Sequence, residues 1–189
     1  MQTFASAPST APAPAPATAT APATQPLAQQ LVARLKSQDI KFVASLPDQW
    51  LKDLILACEA DTELRHVRLA REDDGVGLCA GAWLGGMRAA LICQNSALLL
   101  AANVLAAMAH HHQIPFLVLA AQRGSFDDNQ YYQMYKGRVA EPLLSALGLP
   151  YHVIDGPEDF DLVQHGARQA YLCRQPLVLL LRRRALVGS

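Results

Sequence analysis

The chain has 189 residues, of which 51% are hydrophobic, and its 16 lysines and arginines balance 16 aspartates and glutamates to a formal net charge of zero at pH 7. Without excess charge, no global field draws the chain to nucleic acid or to an anionic membrane surface. Four cysteines, Cys58, Cys79, Cys93 and Cys173, form no CxxC pair and lie in apolar stretches, so they are expected to be buried reduced thiols of a cytosolic protein rather than disulfide or zinc ligands.

Residues 1–26 are almost entirely Ala, Pro, Thr and Ser. Such side chains bury too little area to offset ordering entropy, so a disordered, partly polyproline-like arm is expected there. It lacks the basic start and continuous apolar stretch of a secretory signal. Residues 27–189 then form one domain with room for a sizeable core. In chain order, helix-like stretches at 27–38, 49–60, 73–84, 97–112, 137–148 and 158–174 alternate with short apolar runs at 40–46, 66–70, 88–93, 115–121, 151–154 and 176–181. Runs such as "PFLVLAA" and "PLVLLL" are too short to span a bilayer. Continuous apolar strands alternating with helices predict an α/β fold: a single three-layer domain with a mostly parallel, about six-stranded sheet and helices on both faces.

In such a sheet, ligands bind outside the carboxyl ends of the strands. The loops expected at that edge are "SLPDQ" (45–49), "REDDG" (71–75), "QNSAL" (94–98), the long 122–137 segment, "DGPED" (155–159) and the "RRR" tail (182–184). His110, His111 and His112 close a helix at the opposite edge. Consecutive helical residues point about 100° apart and cannot all face one metal, so their expected role is to complement the helix dipole.

The segment "REDDGVGLCAGAWLGG" (71–86) is unusual. Asp73 and Asp74 suit a helix N-terminus. The glycines that follow, Gly75, Gly77, Gly81, Gly85 and Gly86, cost helix propensity and point to a close approach by a partner backbone or a ligand.

With the "ALICQNS" that follows it, this segment resembles the pyrimidine-binding domain of thiamine diphosphate enzymes, specifically the sulfopyruvate and phosphonopyruvate decarboxylase family. The residues that match are Glu72, Gly75, Gly77, Ala80, Gly81, Ala82, Leu84, Gln94, Asn95, Ser96, Leu98 and Asn103. "SLPD", "QRG" and "ALGLPYHVI" are also similar to the family, so the resemblance covers nearly all of 27–182.

The resemblance implies that Glu72 is the catalytic acid. It would hydrogen-bond N1′ of the cofactor's aminopyrimidine and favour the imino tautomer, which removes the thiazolium C2 proton. It implies that Glu72, Gly75, Gln94, Asn95 and Ser96 bind thiamine diphosphate. It also implies that Asp48, Asn95, Ser96 and Arg123 meet a small 2-oxo acid, with Arg123 facing an anionic tail such as sulfonate or phosphonate. Read without the resemblance, Asn95 and Ser96 are turn caps, Asp48 caps the next helix, and Arg123 is solvated or pairs with a neighbour such as Asp127. Tyr131, Tyr132 and Tyr135 read as plain loop packing, with a lid or a subunit contact as the alternatives, and Arg182, Arg183 and Arg184 as a solvated run.

Two departures accompany the match. Where the family shows Gly, Gly and Asn, this chain has Ala97, Leu99 and Leu100. The Gly-Asp-Gly motif by which such enzymes hold Mg²⁺ and the diphosphate is missing from the sequence. The chain therefore reads as an α subunit that is inactive alone, holds no metal itself and needs a GDG-bearing β subunit, with self-association besides. The alternatives are a non-catalytic homologue that serves as a binding or assembly subunit, and a carboligase acting on a more apolar 2-oxo acid.

Overall fold

The computed structural model describes residues 25–188. The arm assigned to 1–26 lies outside the described residues except for Gln25 and Pro26. Six strands, β1 (Ile40–Ser45), β2 (Arg65–Arg68), β3 (Arg88–Gln94), β4 (Leu117–Ala121), β5 (Tyr151–Ile154) and β6 (Leu177–Leu181), form one sheet in the order β2-β1-β3-β4-β6-β5. Every pairing is parallel. The longer helices are α1 (Leu27–Ser37), α2 (Lys52–Ala60), α3 (Glu72–Leu84), α6 (Met134–Ala146) and α7 (Asp161–Cys173), joined by the short α4 (Asn95–Leu100), α5 (Ala102–Val104) and α8 (Arg183–Val187). The expected three-layer α/β architecture is what the structure shows.

Strand alternation explains the two cores. In β4, Leu117, Leu119 and Ala121 point to the side covered by α1, α2, α7 and α8, whereas Val118 and Ala120 point to the side covered by α3, α4 and α6. All five β4 residues are buried, because a central parallel strand is covered on both faces. Cys58, Cys79 and Cys93 lie in these cores, but Cys173, at the last turn of α7, is exposed, contrary to expectation.

The helix expected over 97–112 is broken. After α4 and α5 the chain passes into a π-helical stretch, Leu105–His110, in which His111 N–H donates to Ala106 C=O at 3.0 Å and Ile114 N–H to Ala109 C=O at 2.9 Å. An Ala- and Leu-rich stretch does not distinguish a four-residue from a five-residue hydrogen-bond step. His110 ends this stretch, and His111 and His112 follow it, before β4.

The strand order positions the site. From β1 the chain moves outward to β2 and then returns to place β3 on the other side of β1. The crevice between the carboxyl ends of β1 and β3 is therefore a topological switch point, where side chains from both following loops can meet a ligand.

Candidate functional site

Asp48 comes from the loop after β1. Leu46 N–H donates to Ile92 C=O at 3.0 Å, which keeps the loop beside β3 just past the strand end. Asp48 Oδ1 then accepts the Trp50 N–H at 2.8 Å, an Asx-type turn that launches the run into α2. Its other oxygen, Oδ2, accepts from Gln94 Nε2 at 2.8 Å and from Arg123 Nη1 at 2.9 Å. Asp48 therefore both begins the turn and enters the site, with its side chain 4% exposed.

Gln94 ends β3 and Asn95 opens α4. Ser96 Oγ donates to Gln94 Oε1 at 2.7 Å, which leaves the Gln94 amide free to serve Asp48. Asn95 is fully buried. Its Nδ2 donates to the Arg123 carbonyl at 2.8 Å, while its Oδ1 is buried with no hydrogen-bond partner among the described residues. An orphaned buried acceptor carries a desolvation cost that a ligand donor would relieve.

Arg123 follows β4 and is 4% exposed. Its Nε and Nη2 donate to Asp128 at 2.8 and 3.2 Å, and its guanidinium carbon lies 4.3 Å from the Trp50 ring centroid. The partner expected from the sequence, Asp127, instead accepts from Ser125 Oγ. Asp128 also accepts the Gly124 and Gln130 N–H groups at 2.9 and 3.1 Å. Gly124 has φ +76°, and a Cβ there would overlap the Gln133 carbonyl, so the loop that delivers Asp128 requires glycine. Burial pushes the Asp128 carboxyl up. The hydrogen bonds from Arg123 and the two backbone N–H groups outweigh that and hold it below the usual carboxylate range. Burial likewise lowers the Arg123 pKa, but Asp128 and Asp48 more than offset it and leave the guanidinium firmly charged.

Asp128 and Trp50 complete this cluster and were not singled out from the sequence. For Asp128, the available signal is an acid five residues after an arginine in a Gly-Ser-Asp-Asn loop.

Glu72 sits differently. It is the first residue of α3, after an extended Arg71. Asp73 is held by Arg71 through two hydrogen bonds of 3.0 and 2.9 Å, which lower its pKa. No hydrogen bond or ion pair reaches the Glu72 carboxylate from the described residues, and the residue is half-buried. Burial, and to a lesser degree the charge of Glu72, raises the pKa of the Cys93 thiol.

At Gly75, the structure shows what the missing side chain permits: a Cβ would come within 2.6 Å of Leu91 Cδ1 and 2.7 Å of Leu69 Cδ1. The close approach there is to the sheet. Gly77 and Gly81, by contrast, are exposed on the outer side of α3, as are Leu78 and Leu84.

Other expectations are corrected. Tyr131, Tyr132 and Tyr135 are not packed in their loop; all three are exposed, as is Phe126. Arg182 and Arg184 are not simply solvated, since both pair with Asp155, at 2.9 and 3.0 Å, and Arg184 also pairs with Glu158. Of the three, Arg183 has no ion-pair partner among the described residues, and it lines a cleft of about 280 Å³ together with Trp50, Arg123, Asp127 and Asp128. Among the described residues, no group of three or more His, Cys, Asp or Glu side chains is arranged to hold a metal ion, and no helix is long and apolar enough to cross a membrane.

No protein-family model matches the chain. Among curated proteins it is similar to the sulfopyruvate decarboxylase subunit alpha of Methanocaldococcus jannaschii, with 31% identity over 147 residues, 77% of this chain and 87% of that one. It is similar to the subunit of the same name from Methanococcus maripaludis, with 29% identity, 75% of this chain and 86% of that one covered. It is also similar to the phosphonopyruvate decarboxylase of Streptomyces viridochromogenes, with 32% identity over 68% of this chain and 32% of that one. Among solved structures, a 2-oxoglutarate:ferredoxin oxidoreductase from Magnetococcus marinus matches with a TM-score of 0.67 at 15% identity, over 85% of this chain and 29% of that one. At that identity the likeness is one of fold.

Proposed function

Because the chain belongs to the sulfopyruvate decarboxylase alpha-subunit family, we propose that it is the pyrimidine-binding half of a thiamine diphosphate-dependent 2-oxo acid decarboxylase. A second, GDG-bearing β subunit holds Mg²⁺ and the diphosphate. The observation that carries this reading is the switch-point cluster itself: Asp48, Gln94, Asn95, Ser96 and Arg123 converge there, with a buried Asn95 Oδ1 left open. Glu72 opens α3 and is half-buried, with no partner among the described residues.

These residues fit one half of the cofactor. Glu72 would meet N1′ of the aminopyrimidine and exchange a proton there, with Gly75 keeping its helix close to the sheet. Gln94, Asn95 and Ser96 would flank the ring, and Asn95 Oδ1 would accept a hydrogen bond from it or from the substrate. Asp48 and Arg123, fixed by each other, would position the substrate. When bound, thiamine diphosphate supplies the carbon nucleophile and electron sink for losing CO₂ from a 2-oxo acid, which with one proton gives an aldehyde. The sequence has no GDG motif, and among the described residues there is no carboxylate cluster that could hold the metal, so the diphosphate end falls to the partner. Self-association of the resulting complex is part of the same reading.

The test uses the complex reconstituted with its GDG-bearing subunit. Glu72→Gln should slow hydrogen–deuterium exchange at the cofactor's C2, and turnover with it, at least about 100-fold, the range of a lost general acid–base group. Calorimetry should show cofactor affinity within about tenfold of wild type, because the amide keeps a hydrogen bond. An unchanged exchange rate would remove Glu72 from the chemistry. It would favour instead a non-catalytic assembly subunit, to which the outward Leu99 and Leu100 would be suited.

A further inference from the structure

We propose that the cleft beside the switch-point cluster is a small-oxyanion site whose cation is Arg183, suited to a sulfonate, phosphonate or carboxylate group. The group has two possible sources: the tail of the 2-oxo acid, or a separate small anion. The site rests on this chain alone; only the first source rests on the decarboxylase reading above.

The resemblance offers Arg123 to an anion, and the fold commits it elsewhere. Its Nε and Nη2 donate to Asp128, its Nη1 donates to Asp48, and one face of the guanidinium lies over the Trp50 ring. Both carboxylates are as desolvated as the arginine, with side chains 4% and 1% exposed. That guanidinium has little left for an incoming ligand.

Arg183 differs on each count. Its neighbours Arg182 and Arg184 are tied to Asp155, and Arg184 also to Glu158, whereas Arg183 is half-buried with no ion-pair partner among the described residues. Its backbone is nonetheless fixed. Arg182 N–H donates to Ile154 C=O at 2.9 Å, Ala185 N–H donates to Arg182 C=O at 3.1 Å, and Ala185 and Leu186 are buried beneath α8. A planar fork of N–H donors on an anchored backbone, with no internal carboxylate to claim it, matches the paired oxygens of an oxyanion.

The cleft suits such a group. Its volume of about 280 Å³ holds a small group rather than a whole cofactor, and the amides of Asn129 and Gln130 add polar lining. Its two carboxylates oppose an anion only weakly. Asp128 is matched by Arg123 and accepts the Gly124 and Gln130 N–H groups, while Asp127 is exposed and accepts from Ser125 Oγ, so solvent screens its charge. The cleft also shares a wall with the site. Arg123 lines it, and the same guanidinium reaches Asp48, whose Oδ2 accepts from Gln94 at the end of β3. A single ion pair separates the two.

The first experiment titrates the full-length chain with methanesulfonate, followed by saturation-transfer NMR. Binding should be saturable, and Arg183→Gln should weaken it at least about tenfold without lowering the melting temperature. Asp127→Asn removes the exposed like charge and should tighten binding about two- to threefold, which keeps the proposal testable should the arginine variant fold poorly. Absence of binding, or equal binding by wild type and Arg183→Gln, overturns the site. The second experiment distinguishes the sources on the complex reconstituted with the GDG-bearing subunit. If the substrate's tail is the occupant, Arg183→Gln raises the KM for sulfopyruvate at least about tenfold with kcat little changed, and methanesulfonate competes with sulfopyruvate. If a separate anion is the occupant, the KM stays the same and Arg183-dependent methanesulfonate binding persists at saturating sulfopyruvate. Arg183-dependent binding in a complex that turns over no 2-oxo acid overturns the decarboxylase reading and leaves the oxyanion site standing.

Discussion

At the carboxyl edge of the sheet, the cluster after β1, β3 and β4 and the acidic turn at the start of α3 handle charge in opposite ways. In the cluster, the side chains of Asp48, Arg123 and Asp128 are buried and, with the half-buried Gln94, answer one another's hydrogen-bonding needs, leaving Asn95 Oδ1 without a partner among the described residues. In the acidic turn, Asp73 is tied to Arg71 at the surface, while Glu72 stands half-buried with no partner among the described residues. Charges that the fold satisfies internally serve its geometry. A half-buried carboxylate left open has affinity to spare for something outside the chain.

This contrast can be broken most directly at Asp128. Asp128→Ala leaves Arg123 with one buried carboxylate instead of two and should cost about 3–5 kcal/mol, measured by urea unfolding. Glu72→Gln should stay within about 0.5 kcal/mol of wild type in the same experiment. If the two losses are similar, Glu72 is as structural as the cluster and the distinction fails.

Next in size is Gly75→Ala, whose methyl group would collide with Leu91 and Leu69 and force α3 off the sheet, at about 1–3 kcal/mol. A neutral result would mean that the helix has room to move, and that Gly75 is free for another role.

Acid titration sharpens the comparison further. Because the Asp128 pKa is lowered in the folded chain, its stabilising effect is fully present above the ordinary carboxylate pKa and is lost as the pH falls through its own lowered value. The stability gap between wild type and Asp128→Asn should therefore be steady near neutrality and shrink below about pH 4. A gap that persists at pH 2 would show that packing, not charge, sets the effect. The smallest change belongs to Asp73→Asn, a solvent-screened helix-end pair, whose loss should barely move the thermal melting curve.

Much of the fold is legible in the sequence because it rests on local patterns. Uninterrupted apolar runs mark strands covered on both faces, and the observed strands fall within one or two residues of the expected ones. The site is only partly legible. Glu72, Gln94, Asn95 and Ser96 stand in short contiguous motifs, so their identity is visible locally. The joining of Asp48 to Gln94 and Arg123 spans 46 and 75 residues and depends on β1, β3 and β4 being neighbours, which periodicity alone does not specify. The neutralisation of Arg123 by Asp128 depends on a loop turning back at Gly124, and a charge count along the chain cannot show it. The exposure of Tyr131, Tyr132 and Tyr135 is hidden for the same reason, since nothing local distinguishes a packed tyrosine from one facing solvent.

The position of β6 between β4 and β5 has a consequence for how the molecule is made. β5 pairs only with β6, and β4 exposes an open edge until β6 arrives. During synthesis, the strand that closes the sheet emerges after the two it must join, so the nascent chain carries the open edge of β4 from residue 121, and an unpartnered β5 from residue 154, until residue 177. Such edges are templates for pairing between chains. Ribosome stalling or premature termination before residue 177 should therefore yield aggregation rather than a shortened domain. Refolding from denaturant should likewise be limited by this late, long-range insertion.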